Sequence, residues 1–275
     1  MLFEPFEFSG MRLKNHVVSV PVVSNLATED GFVTDNLIDR YTRIAGGGIG
    51  WIIIEDVVVI SRKSPYNLRI WDDQFTPGLK RLTEAVHKVP GAKIGIQLGH
   101  FLKISMKGYR QKVEDLAKED INQIIEDHLQ AAIRVEKAGF DSIEWDAESC
   151  MTLSQFLSLL NKRTDEYGGS LENRLRIVME IYEVTRKALG KGFVLGVRIN
   201  GDDLVMGGEY TPPFYGDLNE ACCRWNRLSI NLLRRPMGRC TTSKTRRTSF
   251  GLYRLFRAPV LAQGLGPRWC KRLPC

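Results

Sequence analysis

No apolar run in the 275-residue chain approaches the roughly 20 residues needed to cross a membrane, so no membrane partner is expected. The opening MLFEPFEFSG carries two glutamates and no basic n-region. A secretory signal is therefore not expected, and the cytoplasm is the expected location. No CxxC spacing occurs: Cys222 and Cys223 are adjacent, and Cys270 and Cys275 lie five apart. An iron–sulfur cluster or other metal centre finds no ligand pattern in that arrangement.

What is present divides into two compositions joined near residue 210. From Thr211 onward, 13 Lys and Arg face only Asp217 and Glu220, a net of +11, whereas the residues before carry a net of −4. Five of the six cysteines also lie in that last stretch. The overall +7 is thus a property of the tail. Its arginines could meet acidic surfaces or nucleic acid, but no motif accompanies the charge, so no specific nucleic-acid partner is expected. A hydrophobic content of 43% suffices for a sizeable core in one barrel domain or two smaller ones.

The periods before residue 210 alternate between strand and helix. Phe6 to Asn15 reads as a short hairpin around Gly10 that closes the lower end of the domain. Val17 to Val23 is an apolar strand in which Pro21 marks an end. A helix near Leu37 to Ile44 follows, capped by Thr34 or Asp35 and ended by Gly46 to Gly48. Trp51 to Val59 is an apolar run interrupted by Glu55 and Asp56, as suits a parallel strand covered on both faces. Leu79, Leu82 and Val86 mark the next helix, and Lys93 to Leu98 the third strand.

A helix with the stripe Ile121, Ile124, Ile125, Leu129, Ala132 and Val135 leads to a fourth strand, in which Ser142, Glu144 and Asp146 alternate with Ile143 and Trp145. Ser170 caps a helix striped from Leu171 to Leu189, and Phe193 to Asn200 is the fifth strand. Five strands alternating with four helices give a parallel α/β pattern. After GGEYTPP no period persists.

The wording GFDSIE, SQFLS and NKRTDEYGGSLENR resembles the old yellow enzyme family of FMN-dependent oxidoreductases, as do FEPFEFSGMRLKNHVVSVPVV and ATEDGFVTD near the start. RAPVLAQGLG, 257–266, is similar to the family's seventh strand. The resemblance implies a (β/α)8 TIM barrel, incomplete after the fifth strand. Residues 1–208 would be the FMN-binding portion, and 209–275 a divergent basic tail or the product of a shifted reading frame.

In a parallel barrel the working groups sit at the C-terminal ends of the strands. The parity opposite the apolar one carries Gln97, Asp146 and Arg198 on strands three, four and five. An amide and a guanidinium can hydrogen-bond the polar edge of a flavin, and the cation favours its anionic reduced form. The competing reading of Arg198 is an ion pair with Glu144 or Glu172.

The resemblance implies that Pro21, Val22 and Val23 offer backbone groups to FMN, that Gln97 and Arg198 contact its ring, and that Gly264 is what remains of the phosphate site. His100 would stand beside the site or, alternatively, lie exposed on a loop. Asp56 occupies the place of a small residue near the flavin N5 edge, where a carboxylate repels the reduced, anionic flavin.

The signature stretch departs from the pattern at its reactive positions. Where relatives have a histidine, a histidine or asparagine, and a tyrosine, this chain has Asp146, Ser149 and Met151. The usual pair polarises a substrate carbonyl and the tyrosine supplies a proton. Ser149 can donate one bond, an ionised Asp146 none, and Met151 holds no proton. Asp146 is either a substrate group or a solvated loop carboxylate. The implied activity takes hydride from NAD(P)H through FMN to a small molecule, an activated alkene such as an enone or enoyl thioester. The alternatives are a flavin-dependent amine dehydrogenase and a truncated barrel that does not retain FMN. The sequence sets no oligomeric state.

Overall fold

The computed structural model describes residues 2–62, 64–102, 111–148, 151–200, 229–233 and 252–254. Phe6–Phe8 (β1) and Met11–Leu13 (β2) form the expected antiparallel hairpin. Its turn takes positive φ at Ser9 (49°) and Gly10 (83°), the backbone twist that matches the flanking strands. Val17–Ser19 (β3) is shorter than the strand expected to reach Val23. Beyond it Pro21 lacks an N–H to offer a ladder, and the Ser24 N–H turns instead to the Glu55 carboxylate at 3.1 Å.

Helices and strands then alternate. Asp35–Gly46 (α1) starts at Thr34, whose hydroxyl accepts from Leu37 N at 3.2 Å. Trp51–Val58 (β4), Thr76–His87 (α2), Lys93–Gly99 (β5), Lys118–Lys137 (α3) and Ser142–Ala147 (β6) follow. Thr152–Leu157 (α4), Leu171–Leu189 (α5) and Val194–Asn200 (β7) complete the region. The short α4 leaves no period in the sequence, since it makes little more than one turn.

β3 to β7 pair parallel in chain order, as five consecutive staves of a (β/α)8 barrel. Two further strands lie in the stretch where no period persists. Ser229–Leu233 (β8) adds parallel to β7, in the place of a sixth stave, and Leu252–Arg254 (β9) adds antiparallel to β3. Strands of five and three residues are too short to register as a pattern. Among the described residues β8 and β9 are the two edges of one open sheet.

Each face of this sheet buries its own core. Outward residues such as Ile54, Ile96, Trp145 and Val197 pack beneath the helices. Inward Trp51, Ile53 and Val194 pack on Met11 and Leu13 of the hairpin, which plugs the lower end as expected. In α3 the buried face runs through His128 and Ala131 rather than Ile125 and Leu129. His128 tolerates this because its Nδ1 donates to Ile124 O at 2.7 Å within its own helix.

The distinctive stretch NKRTDEYGGSLENR is a hydrogen-bonded knot between α4 and α5. Asn161 Nδ2 donates to Phe156 O and Tyr167 O at 2.9 and 2.8 Å. Arg163 Nη1 donates to Val113 O and Leu116 O at 2.6 and 2.8 Å, and Arg174 Nε to Leu157 O at 3.0 Å. Gly168 has no room for a side chain, because a Cβ there would overlap the Arg163 carbonyl. Those residue identities close carbonyls that would otherwise be buried without donors. Among the described residues no helix is long and apolar enough to cross a membrane, and no group of three His, Cys, Asp or Glu could hold a metal.

Candidate active site

The inner face of the sheet changes character from bottom to top. On β6 it reads Ser142, Glu144, Asp146, on β5 Gly95, Gln97, Gly99, and on β7 Val194, Gly196, Arg198. Near the bottom Trp51 Nε1 donates to Ser142 Oγ at 3.1 Å across Gly95, where a Cβ would strike that hydroxyl. Two residues higher, Gln97 Nε2 donates to Glu144 Oε1 at 3.0 Å. At the upper, C-terminal end Asp146 lies opposite Arg198 in the β6–β7 register.

Asp56 reaches this end through a β-bulge. Simple alternation from the inward Ile53 would aim Glu55 inward and Asp56 toward the helices. The register slips one residue between Ile54 and Asp56, which sets Asp56 beside Gln97. Glu55 instead turns outward and accepts from Ser24 N, Ser24 Oγ (2.5 Å) and Tyr41 Oη (3.2 Å), while its own N–H donates to Tyr41 Oη. That clamp fixes the segment carrying Pro21, Val22 and Val23 above β4. Val22 and Val23 are 46% and 42% exposed there, an apolar ledge at the rim.

Carboxyl groups dominate the upper end. Burial, then the neighbouring Glu55 and Glu148 charges, push Asp56 up to about 7. Burial, then the Asp56 charge, push Asp146 up to about 8, against its own hydrogen bond from Glu148 N and the Arg198 charge. Asp146 is only 3% exposed. It is neither a solvated loop carboxylate nor an obligatory anion, since near neutral pH it carries the proton that lets it donate.

Arg198 does form an ion pair, but with neither Glu144 nor Glu172. Its Nε lies 2.9 Å from Glu148 Oε2, without the alignment of a hydrogen bond. His100 is not exposed. It sits on the outward parity, Nδ1 2.8 Å from Thr152 Oγ1, its ring stacked on His128 at 5.7 Å and Nε2 3.9 Å from Asp127. The structure therefore separates His100 from Gln97, Asp146 and Arg198, which it brings together. Ser149 and Gly264 lie outside the described residues.

Sequence reasoning missed Glu55 and Glu148. The sequence shows two acids in succession inside an apolar run, but only the strand register decides which of them turns inward.

These shifts make stability depend on pH. Burial raises Asp56 and Asp146, so the folded chain keeps protonation at this end that the unfolded chain, near 3.8, has lost, and stability falls as pH rises toward 8. Burial depresses His100 to about 3 and His128 to about 4, so they withdraw stability as pH falls below 6.5. Denaturant titrations should show stability rising from pH 8 to 6.5 and levelling below. Asp146→Asn should flatten the upper limb. A wild-type stability that instead climbs from 6.5 to 8 would contradict proton retention by the buried carboxyls.

The residues present fit a flavin in kind. Gln97 offers an amide and Arg198 a cation on the same inner face, and Asp56 Oδ1 is buried with no hydrogen-bond partner. The Val22–Val23 ledge awaits an apolar cover.

Comparison with known proteins agrees. The family model described as NADH:flavin oxidoreductase / NADH oxidase matches residues 1–115 and 103–212. A NADH oxidase of Thermoanaerobacter brockii is 33% identical over 228 residues, covering 75% of this chain and 35% of its own length. A NADPH dehydrogenase of Listeria monocytogenes serotype 4a (strain HCC23) is 33% identical over 224 residues, 75% of this chain and 65% of its own. The crystal structure of old yellow enzyme from Pichia sp. AKU4542 superposes with a TM-score of 0.72 at 25% identity, covering 84% of this chain and 70% of that one. The chain thus spans about a third of one curated relative and just under two thirds of the other. With its staves, its inward amide and guanidinium and its signature knot, it belongs to the NADH:flavin oxidoreductase / NADH oxidase family, with the fold of the old yellow enzymes.

Proposed function

We propose that the chain works as an FMN-dependent oxidoreductase that takes hydride from NAD(P)H and reduces an activated alkene, an enone or enoyl thioester. The observation that carries this reading is the convergence of Gln97, Asp146 and Arg198 on one inner face at the C-terminal ends of β5, β6 and β7. Gln97 and Arg198 would hold the ring's polar edge, and the Val22–Val23 ledge would cover part of its apolar face. FMN, when bound, supplies a two-electron carrier that accepts hydride from the nicotinamide and returns it to the substrate. Asp146, raised to about 8 by burial, keeps a proton near neutral pH and would give it to the substrate.

A second reading rests on the excess of acid. Among the described residues Asp56, Asp146 and Glu148 gather at the upper end, where Arg198 pairs with Glu148, and once deprotonated the two aspartates would hold a cationic amine for oxidation by the same flavin.

Purified protein reconstituted with FMN separates these readings. Retained flavin absorbance that NAD(P)H bleaches and an enone restores is the expected result. Bleaching by an amine alone selects the second reading. A colourless protein after reconstitution defeats both and leaves a truncated barrel that does not hold FMN.

A further inference from the structure

Met151, which precedes α4, has no proton to give to a substrate. Asp56 and Asp146 stand on β4 and β6 with β5 between them. The β5 residue in the gap is Gly99, and a Cβ built there would fall inside the Asp56 carboxylate. Asp56 therefore fills the space a side chain at 99 would take and leans across β5 toward Asp146. Its Oδ1 is buried without a partner, and its residue is 5% exposed.

Among the described residues, the neighbouring polar groups are engaged elsewhere. Gln97 on β5 gives its amide to Glu144 on β6, Glu148 binds Arg198 of β7, and Glu55 is turned away toward Ser24 and Tyr41. Two buried carboxyls converging on one glycine from either side do not both ionise readily.

We propose that Asp56 and Asp146 act as a single carboxyl pair sharing one proton across Gly99, and that this pair is the acid of the site. The proposal builds on the flavin reading above. In alkene reduction the β-carbon takes the hydride, the π electrons form the new C–H bond at the α-carbon, and the proton for that bond leaves the pair. Water restores it. Neither aspartate titrates by itself, and the pair as a whole releases its last proton in a raised step.

Infrared titration of the full chain without flavin reads the pair directly. A protonated-carboxyl band should persist through pH 7 and vanish above about 8. Asp56→Asn and Asp146→Asn should each move the last step of the remaining acid down by about one unit, a tenfold loss of proton affinity, and the double variant should abolish the band. Gly99→Ala should do the same as Asp56→Asn by displacing its carboxyl. No band at pH 7, a band that survives in the double variant, or a midpoint unmoved in both single variants overturns the pair.

In the flavin-loaded protein, the rate of enone reduction should fall above the infrared midpoint, and in Asp56→Asn that fall should move down with it. Asp146→Asn should slow the alkene step by roughly 100-fold and change its solvent deuterium effect. A pH profile that ignores the infrared midpoint overturns the acid role. If the band behaves as expected but no alkene is reduced, the substrate reading fails and the shared proton stands.

Discussion

Glu55→Ala is expected to lower stability by about 3 kcal/mol and to remove any retained flavin. The carboxylate accepts from Ser24 N, Ser24 Oγ and Tyr41 Oη, and it is fully buried. Alanine leaves those donors in a space that water does not reach, and each buried donor without an acceptor costs about 1–3 kcal/mol. It also frees the loop that carries Val22 and Val23 and takes away the reason for the bulge. If β4 returns to simple alternation, Asp56 turns toward the helices and the inner face loses it.

Glu55→Gln distinguishes shape from charge. Its amide oxygen still accepts from Ser24 and its NH2 can meet Tyr41, so it should recover most of the stability. Chemical denaturation and flavin absorbance read both variants. A Glu55→Ala protein within about 0.5 kcal/mol of wild type, the ordinary range for surface changes, would show that the clamp does not hold the rim.

Trp145→Ala should cost about 3–5 kcal/mol, at least as much as loss of the Glu55 clamp. The indole lies on the outward parity of β6, fully buried beneath the helices, in the same core as Ile96 and Val197. Its Nε1 has no hydrogen-bond partner, so no polar compensation is lost and the whole effect is packing and the cavity left behind. Since domains of this kind are stable by only about 5–15 kcal/mol, such a loss would leave a large unfolded fraction on mild heating. Trp145→Phe keeps most of the volume and should recover more than half of the loss. A thermal melt of Trp145→Ala that matches wild type would mean that β6 is not packed as described.

Periodicity alone places β4 to β7 and the helices α1, α2, α3 and α5, because each is long enough for its apolar spacing to repeat. Parity along β5, β6 and β7 also points Gln97, Asp146 and Arg198 to one face, which is the part of the site that a strict two-residue repeat can reveal. The bulge stays hidden because Glu55 and Asp56 look alike in sequence, and only the strand register decides which acid goes inward. His128 does not join the apolar stripe of α3, although a histidine bonded to its own helix can lie in a core. His100 is drawn toward the site by resemblance, while its parity already points to α3. The charge state of Asp146 cannot be read from its identity, since it depends on burial and on an aspartate some ninety residues away on a strand two places over.

The plug beneath the staves sets an order of assembly. Met11 and Leu13 are made well before Val194 of β7, yet they share a core with it. A nascent chain must therefore keep an apolar hairpin waiting until β7 is made, and long-range closure of this kind makes folding slow. Translation that stalls before β7 would leave the hairpin uncovered and sticky, well before any cofactor could matter.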